Sequence, residues 1–502
     1  MKMPEFRVLM VYPNSYSGTL VPPALALFSA LLKREDIRVE LFDTTNYQLE
    51  NESVNSEKNQ MVNLNVRPFE TGLQKRPDNV YGNFRKQIEF FGPDLILVTA
   101  TENMFPLAIN LLKYANDLKV PVILGGVFAT FAPELCMRRK EIDMLCIGEG
   151  EYTLIDLCYR MRNGKDYSDV PGLWVRMKDD NIKRNSLGPL VNMDENPLPD
   201  FSIFENSRLY RPMAGEIYRM FPIETHRGCP YACRFCNSPA QNLLYGPITK
   251  HVFFRKKSFT EIRKELLYCR DVWEARYFFF WADTFLAWSE KEFDEFCEIY
   301  KDIQVPFYCQ TRPETITERR IKKLKEAGVH RMGFGIEHGN EEFRREIIGR
   351  THTNKLVINR MKIIDDYDIR YSINNIIGFP DETRDLVFDT IELNRFLASD
   401  TMTCSVFMPY SGTKLREIAI AKGYLDSDAI CPASGFEDTI LKMPSPYLSG
   451  DQIKTLRRVF AMYVKFPKER WPEIAEAEAL TPEGNMIWEK LRKEFIKTFF
   501  AE

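Results

Sequence analysis

Apolar positions along this chain fall into two successive series of short runs, each alternating with stretches of helical periodicity. Residues 6–12 (FRVLMVY) are almost continuously apolar, the pattern of a strand buried on both faces. A loop over 13–23 follows, then a helix over 24–33 and a second strand over 37–42. Residues 46–80 turn polar and rich in Asn and Gln, which predicts an excursion or a poorly ordered loop. Strands at 94–98, 121–124 and 144–147 then alternate with helices at 106–117, 133–139 and 151–162. This order predicts a Rossmann-like, doubly wound parallel sheet over residues 1–165.

Residues 166–215 read as a linker, with a hairpin across 172–191 and the Pro-punctuated surface segment NPLPDFSIF at 196–204. The second series places strands near 221–226, 276–282, 306–311, 330–336, 371–377 and 402–408. Helices fill 259–270, 289–300, 317–327, 354–367 and 383–397, so residues 216–422 predict a partial (β/α)6 barrel. Beyond 423 two amphipathic helices, 451–465 and 484–499, predict a small helical C-terminal domain ending at 502. The fold class is α/β.

Charge narrows the partners. A net charge of −3 and a pI near 6.1 predict no nucleic-acid partner, and Arg255-Lys256-Lys257 reads as a solvated face. No apolar run approaches the ~18 residues of a spanning helix, so no transmembrane segment is expected. The N-terminus enters a strand without a signal-peptide pattern, and eleven cysteines lack a regular framework. Together these predict a cytoplasmic protein, expected as a monomer.

The chemistry concentrates in His226-Arg227-Gly228-Cys229-Pro230-Tyr231-Ala232-Cys233-Arg234-Phe235-Cys236. Three thiolates on one tight loop suit a soft metal centre, and a cubane cluster held by three cysteines keeps one iron open. The competing readings are three buried cysteines that happen to lie close, or a zinc knuckle short of a ligand. Cys136, Cys146 and Cys158 fall on a helix, a strand and a helix at irregular spacing and predict no second cluster.

Cys229, Cys233 and Cys236, with Phe235 before the last, resemble the signature loop of radical S-adenosylmethionine (SAM) enzymes. The stretches LGGVFATFAPE (124–134) and CIGEGEYTL (146–154) upstream of that loop resemble the cobalamin-binding domain of cobalamin-dependent radical SAM enzymes. The resemblance covers residues 5–420 and implies a 4Fe-4S cluster, SAM and cobalamin. It implies reductive cleavage of SAM to a 5′-deoxyadenosyl radical and, for a methyltransferase, methyl transfer from methylcobalamin to an unactivated carbon. A ring contraction, cyclisation or oxidation with the same cofactors is the alternative; a cobalamin-binding regulatory module with an inactive barrel is another. The substrate class left open is a small molecule, lipid or peptide, with an electron donor such as flavodoxin or ferredoxin.

Barrel strand ends carry the residues to which the resemblance gives roles. Asp283 would bind the SAM amino group, with Gln310 and Arg312 at the next strand end and Arg312 on the carboxylate. Glu337 would hold the ribose, Ile377 and Gly378 would flank the adenine, and Tyr410 would face the pocket. Each has a plainer reading: Asp283 as a cap, Arg312 in a surface ion pair, Glu337 bridged to Arg331. On the first sheet the strand ends offer Asn14, Ser15, Thr44, Thr45, Thr99, Thr101, Glu102, Asn103, Gly125, Gly126, Val127, Phe128, Thr130, Gly148, Glu149 and Gly150 to cobalamin. All five histidines follow residue 225, so cobalt would be bound without a histidine from that domain, with Glu102 and Asn103 as candidates for its lower side. The insertion 239–257 and the C-terminal region would shape the substrate mouth, where Phe253, Phe254, Trp281 and Trp288 either wall the pocket or pack the core.

Overall fold

The computed structural model describes residues 5–15, 20–49, 63–64, 75–249, 253–433 and 438–500. Most of the polar excursion at 46–80 lies outside the described residues.

The first sheet contains β1 (Arg7–Tyr12), β2 (Arg38–Asp43), β3 (Leu95–Thr99), β4 (Val122–Gly125), β5 (Met144–Cys146), β6 (Leu173–Arg176) and β7 (Ile182–Arg184). Its order is β2-β1-β3-β4-β5-β6-β7, parallel as far as β5. The continuous apolar run of β1 is explained by two-sided burial: Val8 and Met10 enter one core, Leu9 and Val11 the other. The hairpin β6–β7 pairs antiparallel with β5 and so covers what would be a free strand edge.

One helix escaped the sequence pattern. Val80–Phe91 begins where the excursion was expected to end, and its polar face hides its period. It buries Val80, Phe84, Ile88 and Phe91, is capped by the Asn79 side chain on the Tyr81 and Gly82 amides, and stops at left-handed Gly92.

The second sheet holds β8 (Tyr210–Met213), β9 (Glu216–Glu224), β12 (Tyr277–Trp281), β13 (Phe307–Thr311), β14 (Val329–Glu337), β15 (Arg370–Ile377) and β16 (Thr401–Val406). Between β9 and β12 a short ribbon pairs β10 (His226–Arg227) with β11 (Arg255–Lys256). The sheet runs β16-β15-β14-β13-β12-β9-β8, six parallel strands with β8 antiparallel at the edge, and curls into an open half-barrel. Helices between the strands cover its outer face in the order expected. Gly450–Lys465 packs on β16, where Arg457 Nε donates to the Cys404 carbonyl at 3.1 Å. Arg395 closes that helix by donating to the carbonyls of Tyr463, Val464 and Phe466. A helix at Trp471–Glu478, too short and Pro-led to read from periodicity, lies between the two C-terminal helices that were expected.

The segment 196–204 is not a surface wrap. Phe201 and Phe204 are buried in the core shared by the two sheets, and Phe201 meets Phe221 of β9 edge-on at 4.9 Å. Asp200 accepts from Ser29 and Lys33 of the helix Pro23–Arg34. The segment therefore clamps the first sheet's helix to the half-barrel.

Candidate functional site

The carboxyl ends of the two sheets open on one cavity of about 530 Å³. From the first sheet it takes Thr99, Gly126, Val127, Gly148, Glu149 and Gly150; from the half-barrel, Glu224, His226, Arg227, Cys236 and Asp283.

The cysteine loop hangs between β10 and the helix Ser238–Thr249. Gly228 sits at φ 80, and a Cβ there would fall 2.8 Å from the Phe253 ring, so this turn needs glycine. Cys229 Sγ lies 3.3 Å from the Thr284 hydroxyl. Cys233 Sγ accepts from Arg312 Nη1 and Arg350 Nε, each at 3.2 Å, and Cys236 Sγ accepts the Ser238 amide at 3.5 Å. Burial raises the Cys229 thiol and pushes Cys236 up to about 11, which a bound metal would oppose. Among the described residues no group of His, Cys, Asp or Glu closes on a single metal ion. A cubane's ligands bind separate irons and need not converge.

His226 enters this wall as a neutral ring. Its Nε2 lies 3.1 Å from the Thr284 carbonyl, and burial lowers its pKa from 6.5 to about 4. The unfolded chain therefore binds the extra proton between those values, and stability falls as pH drops from 6.5 to 4. The shift corresponds to about 3 kcal/mol. Denaturant unfolding of His226→Gln between pH 7.5 and 4.5 should show a shallower loss than the parent; parallel curves would rule this out.

The barrel candidates differ in what they touch. Asp283 accepts from the Ser238 hydroxyl at 2.5 Å, beside Cys236 on the cavity wall. Gln310 is exposed at the end of β13. Arg312 is buried, not a surface residue: it pairs with Glu314 and lies 3.8 Å over the Tyr231 ring. Glu337 does not bridge to Arg331, which pairs with Asp400 at 2.8 Å; its partner is Arg350, at 3.0 Å. Burial raises the Glu337 carboxyl even with that guanidinium beside it. Ile377 is buried, and the Gly378 amide donates to Glu382. Tyr410 packs against the main core, and Phe235 lies 5.6 Å from the Arg350 guanidinium.

On the first sheet several candidates serve the protein itself. Asn14, Thr44 and Thr45 bond one another, Ser15 Oγ rests 3.7 Å from Met104 Sδ, and Thr101 donates to Asn103. Phe128 packs on Phe105 in the core. Gly125 ends β4 with ordinary clearance. Thr130 Oγ1 links two strand-end loops, donating to the Gly126 carbonyl and accepting the Gly148 amide, each at 3.0 Å. Glu102 is committed elsewhere: it accepts the amides of Ser411 at 2.8 Å and Cys431 at 3.0 Å and pairs with Arg416 at 3.4 Å. That ties the first sheet to the half-barrel. Glu149 is likewise a tie, to Arg227 at 2.9 Å and to Arg255.

Three residues without an assigned role belong to the site: Arg227, Ser238 and Arg350. Arg227 stood inside the motif, but nothing in its spacing named three carboxylate partners. The basic run 255–257 is not a solvated face either: Arg255, Lys256 and Lys257 pair with Glu149, Glu292 and Glu265. Of the four aromatics, Phe253 and Trp281 line the cavity, while Trp288 is core.

Residues 63–157 match the B12 binding domain and residues 223–393 the Radical SAM superfamily. The chain pairs a B12-binding domain with a radical SAM domain. This is the make-up of a cobalamin-dependent radical SAM enzyme, whose cofactors are a 4Fe-4S cluster, SAM and cobalamin. An uncharacterized methyltransferase of Pyrococcus horikoshii is 27% identical over 486 residues, 94% of this chain and 96% of its own. Cytidylyl-2-hydroxyethylphosphonate methyltransferase of Streptomyces wedmorensis is 21% identical, covering 75% of each chain. Among solved structures, the radical SAM methyltransferase TsrM of Kitasatospora setae, with cobalamin and a [4Fe-4S] cluster bound, superposes with a TM-score of 0.65 at 14% identity, over 99% of this chain and all of that one. The cobalamin-dependent SAM radical enzyme OxsB gives 0.65 at 16% identity, over 99% of this chain and 72% of that one. The residues of this cobalamin-dependent radical SAM enzyme fit the groups: Cys236 and Asp283 on one side of the cavity, with the Cys233 thiol and its two guanidiniums behind them, and glycine-lined strand ends on the other. No helix among the described residues is long and apolar enough to cross a membrane.

Proposed function

We propose that the chain is a methyltransferase acting on an unactivated carbon of a small-molecule, lipid or peptide substrate, fed by a low-potential donor such as flavodoxin or ferredoxin. The observation that carries this reading is the single cavity shared by the strand ends of both sheets, since the two cofactors must reach one substrate atom. The names of the methyltransferases similar to this chain support the methyl reading.

When bound, the cluster and cobalamin supply one-electron cleavage of SAM and methyl transfer, respectively. The chain's part is holding and orienting. Cys229, Cys233 and Cys236 would hold the cluster. Asp283, steadied by Ser238, would accept from the SAM amino group, and Arg312 would face its carboxylate. Glu337 would accept from the ribose hydroxyls, with Ile377 and Gly378 beside the adenine. Gly126, Gly148 and Gly150 would let backbone approach the corrin, and Phe253 and Trp281 would keep water from the reacting carbon.

The test needs no substrate. The reconstituted, reduced protein with cobalamin and SAM should form S-adenosylhomocysteine as well as 5′-deoxyadenosine. Deoxyadenosine without S-adenosylhomocysteine would point instead to a non-methylating rearrangement, and neither product would return the chain to a binding module.

A further inference from the structure

Cys233 is set apart by what touches its sulfur. Its two N–H donors are guanidiniums, both at 3.2 Å, whereas Cys229 meets a hydroxyl and Cys236 an amide. Arg312 and Arg350 are each only 6% exposed, so little water screens them. Arg350 cannot swing away, because Nη2 is bonded to Glu337 at 3.0 Å and Nη1 to the Gly335 carbonyl.

The segment that carries Arg350 is itself fastened to the cysteine loop. The Arg234 amide donates to the Ile348 carbonyl at 2.9 Å. Gly349, at φ 80, comes so near that a Cβ would stand 3.1 Å from the Ala232 carbonyl. Arg344, fully buried, fixes the same turn through the carbonyls of His338 and His352. The guanidinium and the sulfur are thus held as one unit.

We infer that Arg350, together with Arg312, is a positioning residue that raises the reduction potential of the cluster through Cys233. Adding one electron, taken from a one-electron donor with no proton moved, makes the cluster and its thiolates more negative. Buried cations and N–H donors on a ligand sulfur favour that reduced form. The same geometry holds Glu337 in place, so one side chain joins the electron-accepting end of the site to the proposed ribose acid. The inference rests on the reading of Cys233 as a cluster ligand.

The experiment is an electron paramagnetic resonance redox titration of the full-length reconstituted protein, without SAM, alongside iron and acid-labile sulfide content. Glu337→Gln is the reference, and Arg350→Gln with Glu337→Gln removes the buried pair while keeping local charge balanced. The double variant should keep its iron and show a midpoint potential lower than the reference. Arg350→Lys, which keeps charge but not the fork, should lie between wild type and Arg350→Gln. Full iron with unchanged potentials in both would overturn the inference. So would variants that melt normally but load no cluster, since Arg350 would then serve assembly. The parent reading fails separately, if Cys233→Ala retains full iron.

Discussion

Replacing Cys229, Cys233 and Cys236 together by Ala is expected to remove the visible iron–sulfur absorbance and all SAM cleavage, while cobalamin is still retained. The separation follows from where the parts sit: the cysteines share one loop after β10, of which Cys236 reaches the cavity, and the glycine-lined strand ends belong to the other sheet. The fold should survive. Each truncation removes one sulfur from a site that bonds mainly to cofactor, at a cost of about 1 kcal/mol. Arg312 and Arg350, which lose the Cys233 sulfur, keep Glu314 and Glu337 as partners. Iron content, deoxyadenosine yield and the cobalamin absorbance of one preparation check all three statements. Unchanged iron in the triple variant would sink the cluster assignment.

The inner strands of the first sheet were legible because β1 and β3 are buried on both faces and leave nearly uninterrupted apolar runs, as at 6–12, whereas β15 and β16 show one-sided alternation. The cysteine loop was legible because the spacing of three thiols is a local property. What escaped was long-range. Arg350 follows β14 and reaches Cys233 across 117 residues, so no local pattern announces it. Glu102 and Glu149 sit where ligand-binding residues are expected, yet their carboxylates meet Arg416 of the helix Lys414–Ala421 and Arg227 and Arg255 of the β10–β11 ribbon. A strand-end carboxylate reads the same in sequence whether it faces a ligand or a neighbouring domain. The helix Val80–Phe91 was a different failure: its cap Asn79 and its stop Gly92 were both readable, but a strongly polar face masked the stripe of Val80, Phe84, Ile88 and Phe91.

Arg227→Leu is expected to destabilise the protein by about 3–5 kcal/mol at pH 8 and to loosen cobalamin, because it breaks one buried ion cluster that joins three parts of the molecule. Arg227 Nη1 lies 2.9 Å from Glu149 and 2.6 Å from Glu151, both in the stretch after β5, and Nε lies 2.9 Å from Glu224 at the end of β9. Arg227 itself stands on β10, just before Cys229. With the guanidinium gone, Arg255 still meets Glu149 and Lys257 still meets Glu265, but buried Glu151 and half-buried Glu224 lose their ion-pair partner. Burial already raises Glu151, whereas Glu224 lies below its ordinary value because Arg227, helped by Lys257 and Arg255, outweighs its own burial. In the variant the folded carboxylates therefore hold protons more tightly than the unfolded ones, and stability rises as pH falls. The deficit against wild type should shrink between pH 8 and pH 5.5. Arg227→Lys, which keeps the charge and loses the fork, should cost only about 1 kcal/mol and retain cobalamin. Denaturant unfolding at both pH values, read alongside cobalamin content after gel filtration, decides it. A deficit that does not move with pH would mean that Arg227 supports the fold through packing and not through its three carboxylates.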